Sequence, residues 1–393
     1  AAGVGLVVAG LFAFTAPMWA RLWGNPEATT LIRILCIGLV AGSYANALAG
    51  VARRLGLIGL WTTATFTSAV GGMGFGGIMA FSTRAPWSLT VMPVTSSVLL
   101  GLLLLVAIRR RGLPTRNLAN VSQDLIHGAK SLGSSLLTYF AYGVPTWAMS
   151  RWLGASTFGS WNRATVVGQV PLESAARAVT TVIFPKFRWD GTGGENVRRR
   201  WSSLLASTAL VVLPLVALVI PAVPTLTRIL LGSRWTEAGV MAQFIVAATA
   251  VNVLNSLLGM ALQASNNFRA VWLSQVAMIL ILTIAAIALL AWSTWVAIAI
   301  GFVIASIASH TIQLLWASGA GLVASGTVVK WYATTAAACA VMWGLGSVAV
   351  ASTTSAWGAL ALIVLASSIT LAALYIMRRR IEPLASIAGE RDA

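Results

Sequence analysis

The segment LGASTFGSWNRATVVGQVPLESAARAVTTVIFP, residues 153–185, is a largely apolar run that is long enough to cross a bilayer. It carries three charged residues, Arg163, Glu173 and Arg177. A charge at the centre of a membrane helix costs about 2.5–3.5 kcal/mol on insertion scales, so such residues usually face a cavity or one another. A basic loop and a further apolar run follow and end at LLGSRW, residues 230–235. This stretch predicts membrane-spanning helices around a polar interior.

The composition of the whole chain also indicates a membrane protein. Of its 393 residues, 58% are hydrophobic and only 9% are charged, whereas about a quarter of the residues of a soluble domain are charged. The net charge of +17 could suggest a nucleic-acid partner. The basic residues, however, lie in short clusters between apolar runs, which is the pattern of cytoplasmic loops under the positive-inside rule. We therefore expect membrane lipid, and no nucleic acid, as a partner.

Apolar runs of the length of a membrane span occur about twelve times. When alternate connections are placed on one side, most Lys and Arg residues collect there, including Arg109–Arg111 and Arg378–Arg380. The sequence thus predicts an all-α, multi-pass protein of the cytoplasmic membrane, with both ends of this chain in the cytoplasm. The predicted spans lie near residues 1–20, 30–50, 57–81, 88–108, 131–150, 157–184, 203–223, 238–263, 271–292, 294–316, 329–350 and 356–377.

The longest break between spans divides the chain. There Leu118, Val121, Leu125 and Ile126 recur at helical spacing, which predicts a short amphipathic helix in the membrane interface. The expected parts are a four-span region at residues 1–115, a region of the interfacial helix and six spans at 116–317, and a helix pair with a short tail at 318–393. The chain begins inside an apolar run without an initiator Met, so we interpret it as the later part of a longer protein.

The charged residues of the opening segment share one helix face. At about 100° per residue, Arg163, Glu173 and Arg177 lie within a sector of roughly 80°, and Glu173 and Arg177 stand at i,i+4. They predict either an internal ion pair with a snorkelling Arg163 or the wall of a cationic cavity, and the pattern favours neither. Arg33, in an early span, is a weaker candidate for the same cavity.

A second polar face lies in the predicted span 238–263. Asn252, Asn255, Gly259, Gln263 and Asn266 fall within a narrow sector of it. Amides at such positions either join helices through hydrogen bonds or line a route for a hydroxyl-rich substrate, because an amide both donates and accepts. His310 and Gln313 form an i,i+3 pair in a later span, and a lone membrane histidine is more often packed than catalytic.

Catalytic and cofactor motifs are missing from the sequence. It contains no phosphate-binding loop, no nucleophile elbow and no His-Glu-x-x-His. Cys36 and Cys339 lie far apart in apolar runs, which indicates neither a disulfide framework nor a thiolate metal site. We therefore expect a transporter without cofactor, metal or catalytic residues, and not an enzyme.

Several short motifs match those of a known family. They are Leu153-Gly154, Phe158-Gly159, Ala164, Pro171, Phe184-Pro185, Pro221, Leu231-Gly232, Trp235, Ala238 and Gln263-Ala264-Ser265-Asn266. With these the chain resembles the polysaccharide-biosynthesis flippases, which are lipid-linked oligosaccharide exporters of the multidrug/oligosaccharidyl-lipid/polysaccharide superfamily. It departs from their pattern at Trp161, where tyrosine is commoner, and at Ser265-Asn266.

The resemblance implies a MATE-like fold of two six-helix lobes around a central cavity, of which this chain would lack the first two helices. It implies that an undecaprenyl-diphosphate-linked oligosaccharide is moved across the cytoplasmic membrane by alternating access. Arg33, Arg163 and Arg177 would meet the diphosphate, and the amides of residues 252–263 would meet sugar hydroxyls. Polysaccharide polymerase and glycosyltransferases of the same pathway are the implied partners.

Other functions remain open from the sequence. A cation-coupled multidrug antiporter of the same superfamily would need an acidic membrane site, for which Glu173 is the only candidate clearly within a span. A flippase for a lipid-linked peptidoglycan precursor is a close variant. A membrane-embedded glycan polymerase would need a long extracytoplasmic loop, and the connections on that side are short.

Overall fold

The computed structural model describes residues 2–85, 87–109, 121–174, 195–378 and 380–384. Within these ranges the secondary structure is helical, without strands. Three short turns connect longer helices. Met149–Leu153 is a π-helical turn, and Ile220–Ala222 and Ser233–Trp235 are 3₁₀ turns. The helices are α1 (Ala2–Leu22), α2 (Ala28–Arg54), α3 (Ile58–Thr83), α4 (Ser88–Arg109), α5 (Val121–Ala148), α6 (Gly154–Gly168), α7 (Glu195–Val219), α8 (Val223–Leu231), α9 (Thr236–Ala264), α10 (Phe268–Trp292), α11 (Val296–Gly319), α12 (Ser325–Ala351) and α13 (Ala356–Met377).

In the described part of the chain, ten helical segments are long and apolar enough to cross a membrane. They correspond to ten of the predicted spans, and α7 and α8 together form one of them, Val197–Leu231. The predicted span 131–150 lies in α5, which is not among these ten. The predicted span 157–184 runs from α6 into residues that the structure does not describe. The predicted all-α, multi-pass architecture is confirmed.

Helix α5 differs from the expectation of a separate interfacial helix. The structure has one continuous helix from Val121 to Ala148, so Val121, Leu125 and Ile126 belong to the same helix as the fifth span. Leu118 lies outside the described residues. The apolar spacing of this segment correctly indicated a helix, but spacing alone does not show where one helix ends and the next begins.

The chain divides into two compact units, Ala1–Val121 (unit 1) and Ser122–Ala393 (unit 2). The division into three regions expected from the sequence stays a prediction. In unit 1, α3 packs closely on α4 through a stripe of small buried residues spaced four apart, Ala64, Ser68, Gly72 and Gly76. A Cβ atom at Gly76 would lie 2.7 Å from Cβ of Met92. Small residues at this spacing let membrane helices approach closely, which increases their van der Waals contact.

Helix α9 is the centre of unit 2. It contacts α6, α7, α8, α10 and α11 and buries residues all around its circumference, as a helix enclosed by other helices does. Gly168 lets α6 approach α9, because a Cβ there would lie 3.2 Å from the carbonyl oxygen of Ala242. This arrangement buries Asn255 and Gly259 of the polar face of α9 within the bundle.

Helices α12 and α13 lie at the edge of unit 2. Helix α12 packs along α7, and Gly346 is the point of closest approach, since a Cβ there would overlap the carbonyl oxygen of Leu218. Most other side chains of these two helices are exposed. Since lipid tails are as apolar as leucine, such exposure is normal for spans at the edge of a bundle.

Candidate functional site

Unit 2 contains a pocket of about 220 Å³ among helices α5, α9, α10 and α11. Helix α9 contributes Asn252, Asn255, Ser256, Gly259, Met260 and Gln263, and α5 contributes Ser134, Ser135, Thr138 and Tyr142. The other two helices add Val271, Gln275 and Met278 from α10, and Ser309 and Gln313 from α11. All of these lining residues are uncharged. The pocket is therefore a neutral site rich in hydroxyl and amide groups.

Helical spacing explains why these side chains converge. Asn252, Asn255, Gly259 and Gln263 follow one another at three or four residues, so they project from one side of α9. The missing side chain of Gly259 keeps this side open, because a Cβ there would already contact the Gln313 amide oxygen at 3.7 Å. The amide stripe expected from the sequence thus lines one pocket, except for Asn266. That residue lies beyond the end of α9 and accepts a hydrogen bond from Lys130 Nζ at 3.4 Å.

One hydrogen-bond network joins the pocket to α11 and α12. Asn255 Nδ2 donates to Asn252 Oδ1 at 3.0 Å and to the Ser306 carbonyl oxygen at 3.2 Å. Its Oδ1 must then be the acceptor in the 2.9 Å contact with His310 Nδ1. With a neutral imidazole, Nε2 accepts from the Tyr332 hydroxyl, also at 2.9 Å. His310 is therefore a packed residue that connects three helices, and Asn255 is both a lining residue and a helix connector.

Two further hydrogen bonds hold α10 in the wall of the pocket. Gln313 Nε2 donates to Ser274 Oγ at 3.0 Å, and Ser274 in turn donates to the Val271 carbonyl oxygen. On the other side, Trp272 Nε1 donates to Ser134 Oγ at 2.8 Å. These contacts link α10 to α11 and to α5, so the four helices form a cross-linked wall.

Four buried polar atoms have no hydrogen-bond partner within the described residues, and all four belong to the pocket lining. They are Asn252 Nδ2, Gln275 Oε1, Ser309 Oγ and Gln313 Oε1. A buried polar group without a partner costs about 1–3 kcal/mol, so such groups in one pocket indicate a site that water or a polar ligand fills. The atoms include a donor, acceptors and a hydroxyl, which is the set that a polyhydroxylated ligand matches.

Two charged candidates of the sequence analysis, Arg163 and Glu173, belong to unit 2 and are not among the lining residues of the pocket, but Glu173 interacts electrostatically with the lining residue Tyr142. Arg163 is exposed on α6, and its guanidinium lies over the ring of Trp235, 5.5 Å from the centroid. Glu173 accepts a hydrogen bond from Gln169 Nε2. Arg33 is exposed on α2 of unit 1, and Arg177 lies outside the described residues. Within unit 2, Arg163 and the amides of α9 therefore do not line one pocket, and the role of the arginines stays a prediction.

Comparison with known proteins identifies the family. The profile of the family described as "Polysaccharide biosynthesis protein" matches residues 1–240, which is more than half of the chain. The chain belongs to this family. The resemblance stated from the sequence is thereby confirmed.

Two further comparisons give proteins to which the chain is similar. The chain is 23% identical, over 277 residues, to the lipopolysaccharide biosynthesis protein WzxC of Escherichia coli (strain K12), a match that covers 67% of this chain and 54% of WzxC. The chain thus spans about half the length of that relative. Among solved structures, it is similar to the lipid II flippase MurJ in an inward closed conformation, with a TM-score of 0.71 and 14% identity over 95% of this chain and 81% of MurJ. This likeness shows that the two proteins share a fold.

The residues that carry the family resemblance have mainly a structural role. Trp161 and Ala164 are 4% and 0% exposed in the core between α6 and α9. Gly232 has a φ of +92°, a left-handed conformation that favours glycine, and it ends α8. Trp235, which follows in the 3₁₀ turn, contacts the guanidinium of Arg163 with its ring. Trp161, Ala164, Gly232 and Trp235 thus shape the junction of α6, α8 and α9, whereas Gln263, from the last of the motifs, lines the pocket.

Sequence reasoning missed several lining residues of the pocket. Ser134 and Thr138 stand four apart on α5, and Gln275 and Ser309 lie singly on α10 and α11. Serine and threonine are common in membrane helices, because their hydroxyls can bond to the helix itself. The four-residue spacing of Ser134 and Thr138 on α5 is the sequence pattern that could have identified these two lining residues. Their convergence with residues of three other helices depends on packing, which the pattern within one segment does not show.

Proposed function

We propose that this protein is a flippase that moves an undecaprenyl-diphosphate-linked oligosaccharide from the cytoplasmic to the outer leaflet of the cell membrane, for cell-surface polysaccharide synthesis. The single observation that carries the proposal is the neutral pocket, lined by amide and hydroxyl groups, inside a membrane-embedded helix bundle. Membership of the polysaccharide biosynthesis family and the likeness to the MurJ fold support it.

The chemistry of the pocket suits a sugar. Amide groups donate and accept hydrogen bonds, as sugar hydroxyls do, so each can replace part of the water shell that the sugar loses in the membrane. The lipid tail would stay in the bilayer. For the diphosphate, Arg33, Arg163 and Arg177 remain the proposed partners, because a guanidinium binds phosphate oxygens in bidentate fashion and stays charged.

The pocket lies in the half of unit 2 that we assign to the cytoplasmic side. Its residues on α9 occupy the second half of that helix, and the connection that follows leads to Arg269, on the basic side of the predicted topology. We therefore propose that the pocket first receives the glycan from the cytoplasm, where positive-inside topology places both ends of the chain. Alternating access would then expose the glycan to the other side.

Two alternatives differ in their support. A multidrug antiporter that binds cationic drugs would need an acidic group at its site; the described lining residues are all uncharged, and Glu173, which acts on the lining residue Tyr142, is the acidic group that this alternative would use. A flippase for a lipid-linked peptidoglycan precursor is the second candidate, because the fold is similar to that of a lipid II flippase. In both flippase proposals the protein acts as a transporter, and the glycosyltransferases and polymerase of the pathway are its proposed partners.

Reconstitution tests the proposal. The full-length protein is placed in proteoliposomes that carry a radiolabelled undecaprenyl diphosphate with a sugar head group on the inner leaflet. Sugar that reaches the outer leaflet becomes accessible to membrane-impermeant periodate, which cleaves vicinal diols. We expect the protein to make the inner pool accessible, while a labelled glycosylated diacylglycerol in the same vesicles stays protected. Accessibility equal to that of protein-free vesicles would overturn the proposal.

A further inference from the structure

The volume of the pocket limits what can enter it. At about 220 Å³ it is smaller than the roughly 300–1,000 Å³ of pockets that enclose drug-sized ligands. A single pyranose ring with its hydroxyls is of this size, whereas an oligosaccharide is larger. The pocket can therefore enclose one sugar of a glycan, and the remaining sugars would have to lie outside it.

The orientation of the unpartnered groups is fixed by their neighbours. Asn252 Oδ1 accepts from Asn255, so Asn252 Nδ2 is the donor end of this amide; it is directed towards the Tyr142 hydroxyl, and an amide nitrogen has a second N–H that a ligand can accept. Gln313 Nε2 donates to Ser274, so Gln313 Oε1 is the free acceptor. Ser309 is 1% exposed. The pocket thus offers a donor and an acceptor on opposite helices, with a hydroxyl that can act as either.

Ser309 differs from the other serine of its helix in a way that points to a ligand. Ser306, almost one turn earlier on α11, donates to the carbonyl oxygen of Phe302 at 2.9 Å. This bond within the helix is the usual one for serine in a membrane helix. The hydroxyl of Ser309 makes no such bond within the described residues, although both serines are buried. The Ser309 hydroxyl can therefore form a hydrogen bond with a ligand in the pocket.

The pocket also has no positively charged lining residue that could pair with an anionic ligand. Its lining residues are uncharged, and Lys130, which precedes Ser134 by one turn on α5, is directed towards Asn266 Oδ1 and lies over the ring of Phe268 at 5.9 Å. A carboxylate that entered the pocket would lose its water shell without gaining an ionic partner, which is strongly unfavourable. An uncharged sugar loses only hydroxyl hydration, which the amides replace.

We propose that this pocket of unit 2 binds one uncharged sugar of the transported glycan and rejects acidic sugars such as hexuronates. The proposal rests on the proposed flippase function and adds a specificity to it. The specificity arises from the unpartnered groups of Gln275, Ser309 and Gln313, which pair with hydroxyls, and from the absence of a lining cation in the described pocket.

The test compares two substrates in the periodate assay with the wild-type protein. One is undecaprenyl diphosphate that carries a single glucose, and the other carries a single glucuronate. Both sugars have vicinal diols, so the same readout serves for both. Because the carboxylate would be buried without a partner, we expect the glucuronate substrate to move at least about 100-fold more slowly than the glucose substrate.

A matched pair of serine variants tests whether the pocket is the cause. Ser309→Ala should slow the movement of the glucose substrate by about 3- to 10-fold, the effect of one neutral hydrogen bond. Ser306→Ala, on the same helix, should leave the rate at the wild-type value because its hydroxyl bonds only to its own helix. Gln275→Met, which removes a free acceptor on α10, is the second pocket variant should the first not reconstitute.

The outcomes separate this proposal from the flippase function. If glucose and glucuronate substrates move at equal rates, the pocket does not select uncharged sugars, and the flippase function stands without the specificity. The same conclusion follows if the pocket variants behave like Ser306→Ala. If neither substrate moves faster than in protein-free vesicles, it is the flippase function itself that fails.

Discussion

Replacing Asn255 by leucine should destabilise unit 2 more than any other single amide substitution in α9. Asn255 is 9% exposed and makes three hydrogen bonds, to Asn252, to the carbonyl oxygen of Ser306 and to His310. Leucine has nearly the same size and shape, so Asn255→Leu removes these bonds without leaving a cavity. It also leaves His310 Nδ1 without its acceptor.

The magnitude follows from the hydrogen bonds. Side-chain hydrogen bonds in a membrane protein contribute about 0.6 kcal/mol each on average, so three contribute about 2 kcal/mol. The unpaired His310 Nδ1 adds roughly 1 kcal/mol or more. Leucine gains nothing from burial in exchange, because lipid is as apolar as the protein interior. We therefore expect the free energy of unfolding to fall by about 3 kcal/mol, which is about a 100-fold change in the unfolding equilibrium.

Reversible unfolding by SDS in mixed micelles, followed by far-UV circular dichroism, measures this change. Gln243→Leu is the matched control, since Gln243 is an amide of the same helix that makes one hydrogen bond, to the Ile220 carbonyl oxygen. It should lose only about 0.6 kcal/mol. His310→Leu and the double variant complete a cycle, and the double variant should be less destabilised than the sum of the two single variants. An Asn255→Leu variant as stable as Gln243→Leu, or strictly additive effects in the cycle, would refute the network.

The remaining predictions concern an arginine and a glycine. Arg163→Ala should lower glycan export while changing stability by less than about 1 kcal/mol, the size of an exposed cation–π contact; Arg53→Ala, which loses a similar contact in unit 1 at 5.4 Å, should leave export intact. If both variants export glycan equally in cells, Arg163 does not bind the phosphate of the substrate. Gly346→Ala should cost about 1–3 kcal/mol by SDS titration, because its Cβ would overlap the Leu218 carbonyl oxygen. Gly344→Ala has open space around its Cβ and should be neutral or stabilising by up to about 1 kcal/mol, and equal stability of the two glycine variants would contradict the described packing of α7 and α12.

The spans were predictable because a bilayer demands long apolar helices, and such runs are visible in one sequence. The amide face of α9 was also predictable, since Asn252, Asn255 and Gln263 lie at helical spacing within a single element. The structure adds that these three residues line one pocket. Their role in binding a substrate stays a prediction.

Contacts between helices were not predictable from the spacing within one helix. The pairing of His310 with Asn255 and Tyr332 joins residues that are far apart in sequence. The position of Arg163 over Trp235 likewise depends on the turn between α8 and α9. A polar residue in a membrane segment indicates that a partner exists, but only packing determines which partner it is.

The boundary of the predicted interfacial helix differs from the structure for a related reason. Its apolar spacing was correct, but Val121 to Ala148 form one helix. Gly128 and Gly133 lie within that helix without ending it. Both are only modestly unfavourable in a helix interior, by about 1 kcal/mol each relative to alanine, and tertiary packing outweighs this preference, as it does where Trp272 packs near Gly133.

Photo-cross-linking tests most directly whether the pocket of unit 2 holds the sugar of a lipid-linked glycan. An undecaprenyl diphosphate that carries one uncharged, diazirine-labelled hexose is irradiated with the protein in membranes, and mass spectrometry locates the adducts. The pocket account predicts adducts on residues 252–263 of α9 and on Ser309 or Gln313 of α11, which excess unlabelled glucose substrate removes. Adducts confined to other parts of the chain, such as the surroundings of Arg33 or Arg163, would contradict it.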